Sequence, residues 1–288
     1  MTRGGASTTV NPLGVIRRAL GRLWGRDVML YTGGVSFYAM LAGAPGLAIL
    51  VSIYSLLSTP EVAAQQAANL SLLLPDSAQQ LFADELQRLA RAPLSIVGVQ
   101  GVLAIVVSVY AAHRGVKALI AGLSFINEDT ESHSFLEFNL MALTVFLSGL
   151  ALILISSTGF LVVRVVLNAV DPRVGEQAGW LFGQWLWAGA GVVAGLTLMY
   201  RYVMSVNLLS WRASLAGGLA GALMSLTASW ACAFYVDRVA RLGATYGSVA
   251  AVVVCLIWIS WNVNAAFFGG ALATETDLAL RSKGPGRD

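Results

Sequence analysis

The sequence predicts an all-α integral membrane protein with six transmembrane helices and both termini in the cytoplasm. Six runs contain no Asp, Glu, Lys, Arg or His: residues 28–60, 92–112, 139–163, 177–200, 213–236 and 242–274. Each run is long enough to cross about 30 Å of hydrocarbon, which takes roughly 20 apolar residues in a helix. Mean hydropathy is +0.72 and 11% of the residues are charged, whereas roughly a quarter are charged in soluble proteins.

The distribution of Lys and Arg sets the predicted orientation. With both termini inside, twelve of the eighteen basic residues face the cytoplasm, as the positive-inside rule requires. We therefore expect a basic cytoplasmic segment over 1–27, a membrane domain over 28–274 and a cytoplasmic tail over 275–288. Within the domain, spans are predicted at about 33–57, 94–112, 139–163, 180–200, 213–236 and 246–272.

Short amphipathic segments are predicted beside the spans. Apolar residues from Leu13 to Trp24 recur at helical spacing, with arginines mostly on the other faces. This pattern indicates an interfacial helix on the inner leaflet, held there by burial of its apolar face and by anionic lipid. We expect no nucleic-acid partner for this segment. Val116 to Ile126 reads as a second interfacial helix, too short to span. Residues 61–92 are expected to form two short helices at the outer surface.

Individual spans carry further signals. The first apolar run is too long for the hydrophobic part of a signal peptide, so we expect it to remain as a span. Pro45 lies inside it and predicts a kink, which either lines a cavity or serves packing alone. The third span is expected to extend past Arg164 to Val170, with the arginine reaching toward the interface.

Glycine pairs four residues apart mark two of the spans. They are Gly191 with Gly195 in the fourth span and Gly217 with Gly221 in the fifth. Small residues at this spacing allow two membrane helices to approach closely. The contact is either within the chain or in a homo-oligomer. The cysteines, Cys232 and Cys255, lie inside spans and are expected to act as small apolar residues.

Three blocks of the sequence carry a resemblance to a known family, and the first is His113-Arg114-Gly115-Val116-Lys117-Ala118-Leu119-Ile120. This block is similar to the S-R-G-V-x-A-L-I signature of the YihY/BrkB family of inner-membrane proteins, formerly labelled ribonuclease BN. Tyr200-Arg201-Tyr202 followed by Trp211-Arg212-Ala213 resembles its entry to the fifth span, and Tyr246-Gly247-Ser248 lies in a third matching block. The span plan agrees over nearly the whole chain.

The resemblance implies a multi-pass protein of the bacterial inner membrane with a part in envelope function. For this family, translocation of a lipid or another solute has been proposed. Two features depart from its pattern: the proline expected after the Tyr-Arg step is absent, and Ala271 stands where a glutamate is usual, with Glu275 one turn later.

Candidate substrate-binding residues are the basic groups at span ends and the polar groups at membrane depth. Arginines around an apolar bundle suit an anionic amphipathic molecule, although they equally serve topology. Asn262 and Asn264 are two residues apart and cannot share a helix face, so one is expected to bond a neighbouring helix and the other to face a cavity. The full candidate set is Arg114, Lys117, Arg164, Arg201, Arg238, Tyr246, Ser248, Asn262 and Asn264.

Catalysis is not predicted. The histidines His113 and His133, and the acids Glu128, Asp129 and Glu131, lie at one inner loop, where a solvated turn is far commoner than a metal or acid–base site. We therefore expect no enzyme activity, catalytic residue, metal or cofactor. Translocation of a lipid or amphipathic anion is the leading hypothesis, with a non-transporting membrane scaffold as the alternative and a hydrolase as the least favoured.

Overall fold

The computed structural model describes residues 12–24, 28–57, 99–127, 135–170, 184–204, 208–238 and 250–282. These residues form seven α-helices and no strand. They are α1 (Pro12–Trp24), α2 (Val28–Leu57), α3 (Val99–Asn127), α4 (Phe135–Val170), α5 (Gln184–Tyr202), α6 (Trp211–Arg238) and α7 (Ala250–Arg281). The two helices expected over 61–92 lie outside the described residues.

Three helices of the described part are long and apolar enough to cross a bilayer, over Val106–Asn127, Trp211–Tyr235 and Val252–Arg281. Val28–Gly43 and Leu136–Gly149 are shorter apolar stretches. By length alone, α2 has 30 residues and α4 has 36, which correspond to about 45 and 54 Å at 1.5 Å per residue. The chain is thus all-helical in its described part with at least three apolar spans, and the count of six stays a prediction.

Helix ends differ from the predicted span ends at several places. The segment from Val116 to Ile126 is the last part of α3, not a separate interfacial helix, because the helix continues through His113, Arg114 and Gly115. At the other end of the chain, α7 continues past Thr274 to Arg281. In both places charged residues follow an apolar run without a helix-breaking proline. By contrast, α4 does run past Arg164 to Val170, and α2 continues past Pro45.

Helix α7 lies at the centre of the packing, against α1, α2, α3, α5 and α6. The buried apolar cluster gathers at one end of the molecule, which we call the polar end because charged residues cover it. There the first turns of α2 and α6 and the last turns of α3, α5 and α7 meet. The fully buried members include Leu123, Ile126, Tyr200, Met204 and Phe267.

The glycines of α6 allow it to lie directly on α7. A Cβ at Gly217 would collide with the carbonyl oxygen of Gly269 and would lie 2.7 Å from Cβ of Ala273. A Cβ at Gly221 would lie 3.4 Å from the carbonyl oxygen of Ala265. The pair in α6 therefore packs within the chain, against Gly269 and Ala273 at the same four-residue spacing. In α5, Gly195 faces the side chain of Leu152 on α4, and Gly191 lies one turn earlier.

Helix α1 packs on the polar end by one face only. Val15 and Ala19 are buried against the bundle, whereas Leu13, Ile16, Leu20 and Trp24 are exposed. Arg17 is exposed beside this apolar stripe. An amphipathic helix of this kind has one side for protein and another for the headgroup region of a bilayer.

The close contact of α6 with α7 predicts the effect of enlarging its glycine. Gly217→Ala should lower the stability of the detergent-purified protein by about 1–3 kcal/mol, since the added methyl meets backbone of α7. The measurement is thermal unfolding followed by size-exclusion chromatography.

The matched control is Gly149→Ala in α4, where an added Cβ meets nothing within 4 Å. This variant should keep or slightly raise stability, because alanine favours the helix. Equal melting of the two variants would contradict the proposed α6–α7 contact.

Candidate functional site

Two arginines of α1 share one buried carboxylate of α7. Glu275 accepts hydrogen bonds from Nε of Arg18 at 2.7 Å and from Nε of Arg22 at 2.6 Å. The Glu275 side chain is 8% exposed, that of Arg22 is 16% and that of Arg18 is 53%. A buried carboxylate is costly unless it is paired, so we call this arrangement the Glu275 clamp. It fixes the position of α1 on the bundle.

Hydrogen bonds extend the Glu275 clamp to the ends of α3 and α5. Arg22 also donates through Nη1 to the carbonyl of Ile126 at 3.0 Å, in the last turn of α3. A cation is favourable at a helix C-terminus, where carbonyl groups lack partners. Asn127 accepts from Thr274 at 3.0 Å and donates to the carbonyl of Met204 at 3.5 Å. Four helices are thus joined by polar contacts at this end.

Asp277 connects α7 to the beginning of α6. Its Oδ1 accepts the backbone N–H of Ser210 at 2.9 Å, and its Oδ2 accepts from Arg281 one turn later. Ser210 precedes α6, and its hydroxyl accepts from the N–H of Ala213 at 3.4 Å, as N-cap residues do. An acid at a helix N-terminus is favoured by the partial positive charge there.

Sequence reasoning missed Asp277 and placed Glu275 at the start of the tail. The available signal was a pair of acids two residues apart, directly after a charge-free helix and with no glycine or proline to end that helix. The partners of Glu275 on α1, Arg18 and Arg22, lie more than 250 residues away in sequence. No local sequence pattern therefore indicates them.

A second polar network lies between α7 and its neighbours, nearer the middle of the helices. Asn264 accepts from Thr32 of α2 at 3.1 Å and donates to the carbonyl of Ser260. The hydroxyl of Ser260 donates to that of Ser36 at 3.1 Å. On the other side, Asn262 accepts from Ser225 of α6. The two asparagines thus face different helices, as their spacing requires, and each one bonds a neighbour.

Of the predicted basic candidates, Arg114 and Lys117 lie in the middle of α3. Arg114 is exposed, and its Nε donates to the hydroxyl of Tyr110 at 3.1 Å, one turn earlier on α3. Lys117 donates to Oδ1 of Asn139 at 3.0 Å, and Nε2 of His113 lies 3.2 Å from the same oxygen. These contacts join α3 to the beginning of α4.

Arg201 lies where α5 ends and the chain turns toward α6. Its Nη1 donates to the carbonyl of Leu209, and its guanidinium stacks 4.3 Å from the ring centre of Trp211 and 5.4 Å from that of Tyr202. Cations over aromatic faces gain electrostatic attraction, and arginine does so most often. Arg164 and Arg238 lie in helices, but their side chains are outside the described part, as are Tyr246 and Ser248 altogether.

An open groove lies between the beginning of α4 and the end of α5, beside Arg201. It has a volume of about 440 Å³ and a mostly apolar lining. The groove is lined by Glu137, Leu140, Met141, Thr144, Val145, Tyr202 and Val203. Arg201 does not line the groove but contacts the ring of Tyr202, which does, whereas the charged residue of the lining itself is Glu137. Elsewhere in the described part, no three His, Cys, Asp or Glu residues form a group that would hold a metal.

Comparison with known proteins decides the family. The sequence model of the virulence factor BrkB family matches residues 19–287. The chain belongs to this family. The match confirms the resemblance carried by the three sequence blocks, and it covers every described helix from α2 to α7 and the second half of α1, from Ala19.

One curated relative of this BrkB-family chain is the UPF0761 membrane protein Bxeno_A3061 of Paraburkholderia xenovorans (strain LB400). The two are 30% identical over 103 residues, which are 34% of this chain and 23% of the relative. The match thus spans about a quarter of that protein's length. No solved structure matches this chain. Family membership and the long apolar helices together identify a membrane protein.

The Glu275 clamp predicts a difference between neighbouring arginines of α1. Arg22→Gln should loosen α1 on α7, since breaking a largely buried ion pair costs up to about 3 kcal/mol and a free helix of this length is marginal in water. Hydrogen–deuterium exchange of the α1 peptide, in detergent-purified protein, measures the release as faster exchange.

Arg17→Gln is the matched control, because Arg17 lies on the same helix and its side chain is exposed. Its α1 peptide should exchange as slowly as the wild type. Equal protection in both variants would mean that the Glu275 clamp does not hold α1.

Proposed function

We propose that this chain is a six-span protein of the bacterial inner membrane that translocates a lipid or another amphipathic anion. Both termini lie in the cytoplasm in this proposal. Arg201 and the apolar groove beside it carry the proposal, because they offer a cationic group and an apolar surface at one place. Amphipathic anions require both.

The arrangement of helix ends supports the topology. Helices α2, α4 and α6 begin at the polar end, and α3, α5 and α7 finish there. Val28 of α2 lies in the buried cluster there. Asn127 at the end of α3 bonds Thr274 of α7 and the carbonyl of Met204 after α5, Ser210 before α6 bonds Asp277 of α7, and Asn139 of α4 bonds Lys117 of α3. Helices that alternate in direction return the chain to the side on which it started. The basic residues of α1 at this end favour the cytoplasm.

The surroundings of the groove support an amphipathic substrate. Leu140, Met141, Val145 and Val203 give it an apolar wall that suits an acyl chain. Tyr202 and Trp211 stack edge-on, with ring centres 6.2 Å apart, and both contact the guanidinium of Arg201. Arginine and aromatic rings of this kind are favoured at the headgroup level of a bilayer.

Movement by ion coupling is not part of the proposal. The six charge-free runs contain no acidic or basic residue, and the buried acids Glu275 and Asp277 are paired with arginines at the polar end. A carboxylate held by two guanidinium groups is poorly suited to load and release a proton or a cation.

A non-transporting scaffold is the second candidate, and the network around α7 favours it. Asn262, Asn264, Ser36 and Ser260 bond one another or neighbouring helices, which leaves them occupied in packing. In this alternative the groove binds lipid without moving it, and the protein acts through partners.

Reporter tags at the two ends test the topology. A fusion at the N-terminus and one at the C-terminus should both be active with a cytoplasmic reporter and inactive with an enzyme that folds only in the periplasm. Opposite results for the two ends would exclude an even number of spans.

Translocation is tested in proteoliposomes that contain labelled phosphatidylglycerol, with a reductant that quenches only the outer leaflet. Met141→Trp, which partly fills the groove, should translocate lipid about tenfold more slowly than the wild type, equivalent to an activation free energy higher by about 1.4 kcal/mol. The matched control is Leu147→Trp, at an exposed position of the same helix outside the groove.

The two candidates differ in the wild-type result. Folded wild-type protein that moves no lipid class would exclude translocation and leave the scaffold. Rates that fall equally in Met141→Trp and Leu147→Trp would mean that the groove is not the route.

A further inference from the structure

One face of α1 stays exposed although the helix is packed on the bundle. Large apolar side chains recur on this face at intervals of three or four residues, as on one side of a helix. Trp24 is 91% exposed and Leu13 is 75% exposed. The four side chains, which we call the α1 stripe, are Leu13, Ile16, Leu20 and Trp24. A contiguous exposed apolar patch of this kind marks a surface that another molecule covers.

The α1 stripe continues onto a part of the chain that meets lipid. Ala19 of α1 and Val28 at the beginning of α2 belong to one buried cluster, so α1 packs at the level of the first turn of α2. In that turn Met29 and Leu30 are exposed. Because α2 contains no charged residue and belongs to a membrane protein, these apolar side chains face hydrocarbon. The edge of the bilayer therefore lies close to α1, and tryptophan, as at Trp24, is favoured at such an edge.

Two exposed arginines lie beside the α1 stripe. Arg17 is exposed and forms no ion pair or hydrogen bond with another described residue. Arg18 bonds Glu275 through Nε, yet its side chain remains 53% exposed. Gly21 lies one turn later, between the two arginines around the helix, and an added Cβ there would meet nothing within 4 Å. The surface of α1 between the two arginines is therefore open to a ligand.

The Glu275 clamp holds α1 in its folded form and in this position. A free helix of 13 residues is marginal in water, so an isolated segment of this length would lose conformational entropy when it binds. Here Arg22 pairs with Glu275 and also bonds the end of α3, which keeps the helix ordered on the bundle. A surface that is already ordered binds with less loss of entropy. The inner face of α1 thus belongs to the bundle, and the outward face is preformed for a second partner.

We infer that the outward face of α1 binds the surface of a bilayer that contains anionic phospholipid. The α1 stripe lies among the acyl chains, and Arg17 and Arg18 donate to phosphate oxygens of the headgroups. The charges are complementary, since each basic residue close to an anionic surface strengthens binding about fivefold. Lipid is favoured over a protein partner because the stripe is continuous with the lipid-facing start of α2. The inference goes beyond the proposed function, since this lipid stays at the surface of the protein and does not enter the groove.

Spin labels on α1 test which of its sides faces the bilayer. Leu20→Cys and Gly21→Cys are labelled one at a time in the full chain that also carries Cys232→Ala and Cys255→Ala, in nanodiscs of phosphatidylcholine and phosphatidylglycerol. The label at position 20 should collide more often with oxygen, which concentrates in hydrocarbon. The label at position 21, the matched control, should collide more often with a water-soluble nickel complex. Both positions are exposed, so the labels should leave the fold unchanged.

Two results at position 20 would overturn the inference. A label that is as accessible to the nickel complex as the label at position 21 would mean that water, not lipid, covers the α1 stripe. A label that is shielded from both oxygen and nickel would mean that protein covers it. In that case, spin–spin broadening between labels would identify a second copy of the chain as the covering protein.

The part played by charge is tested by hydrogen–deuterium exchange of the α1 peptide in nanodiscs with and without phosphatidylglycerol. In the wild type, phosphatidylglycerol should slow the exchange about tenfold or more, because two arginines gain its attraction. Arg17→Gln should reduce this gain about fivefold, whereas Arg17→Lys, which keeps the charge, should preserve it. Since Arg17 is not part of the Glu275 clamp, both variants should exchange like the wild type in phosphatidylcholine alone. Equal gains in all three proteins would overturn the inference.

Discussion

Polar side chains on a helix that is surrounded by other helices and by lipid have to find their partners on those helices, because hydrocarbon offers none. Helix α7 is under this constraint along its whole length. Asn262 bonds α6, Asn264 bonds α2 and Glu275 bonds α1. Since these partners lie on three different sides, the rotation of α7 about its own axis is determined. The other helices are then positioned around it.

Close packing completes what the hydrogen bonds begin. Lipid tails are as apolar as leucine, so helices in a membrane gain little from burying apolar surface and depend on tight contact. Phe267 of α7 is fully buried, and its Cζ lies 2.5 Å from the position that a Cβ on Gly122 of α3 would take. A large residue of α7, Phe267, therefore packs on a glycine of α3, Gly122. On the other side of α7, Gly269 packs on Gly217 of α6. The same helix thus uses opposite solutions toward two neighbours.

Much of the fold could be predicted from the sequence, since a run without charges is a helix wherever water is excluded. The places of the runs agree with α2 to α7. Helix ends agree less well, because a charge at the interface does not end a helix: α3 continues through Arg114, and α7 continues through Glu275. The sequence places Arg17, Arg18 and Arg22 on one short helix, yet only the fold shows that the last two meet a carboxylate on α7.

The site was less accessible to prediction for the same reason. Arg201 was a candidate as one of several arginines at span ends, with no sign that it would differ from Arg114. The difference is in the partners: Arg114 bonds Tyr110 one turn away and is exposed, whereas Arg201 is held by Leu209, Trp211 and Tyr202 across a turn of the chain. Contacts of that kind depend on how α5 and α6 pack against each other. The periodicity of apolar residues in the sequence predicts each helix but not this packing.

The two arginine sites of the polar end perform different physical tasks. In the Glu275 clamp, Arg18 and Arg22 both pair with Glu275 at short distance. The main effect of these charges is to hold α1 on α7. At the end of α5, the rings of Tyr202 and Trp211 and the carbonyl of Leu209 hold Arg201, and they orient the guanidinium without neutralising it. A fold that only needed a helix contact at this position would be served better by an apolar side chain, because a partly buried cation without a carboxylate costs stability. A cation that is oriented but not paired is the feature on which the proposed binding of an amphipathic anion rests.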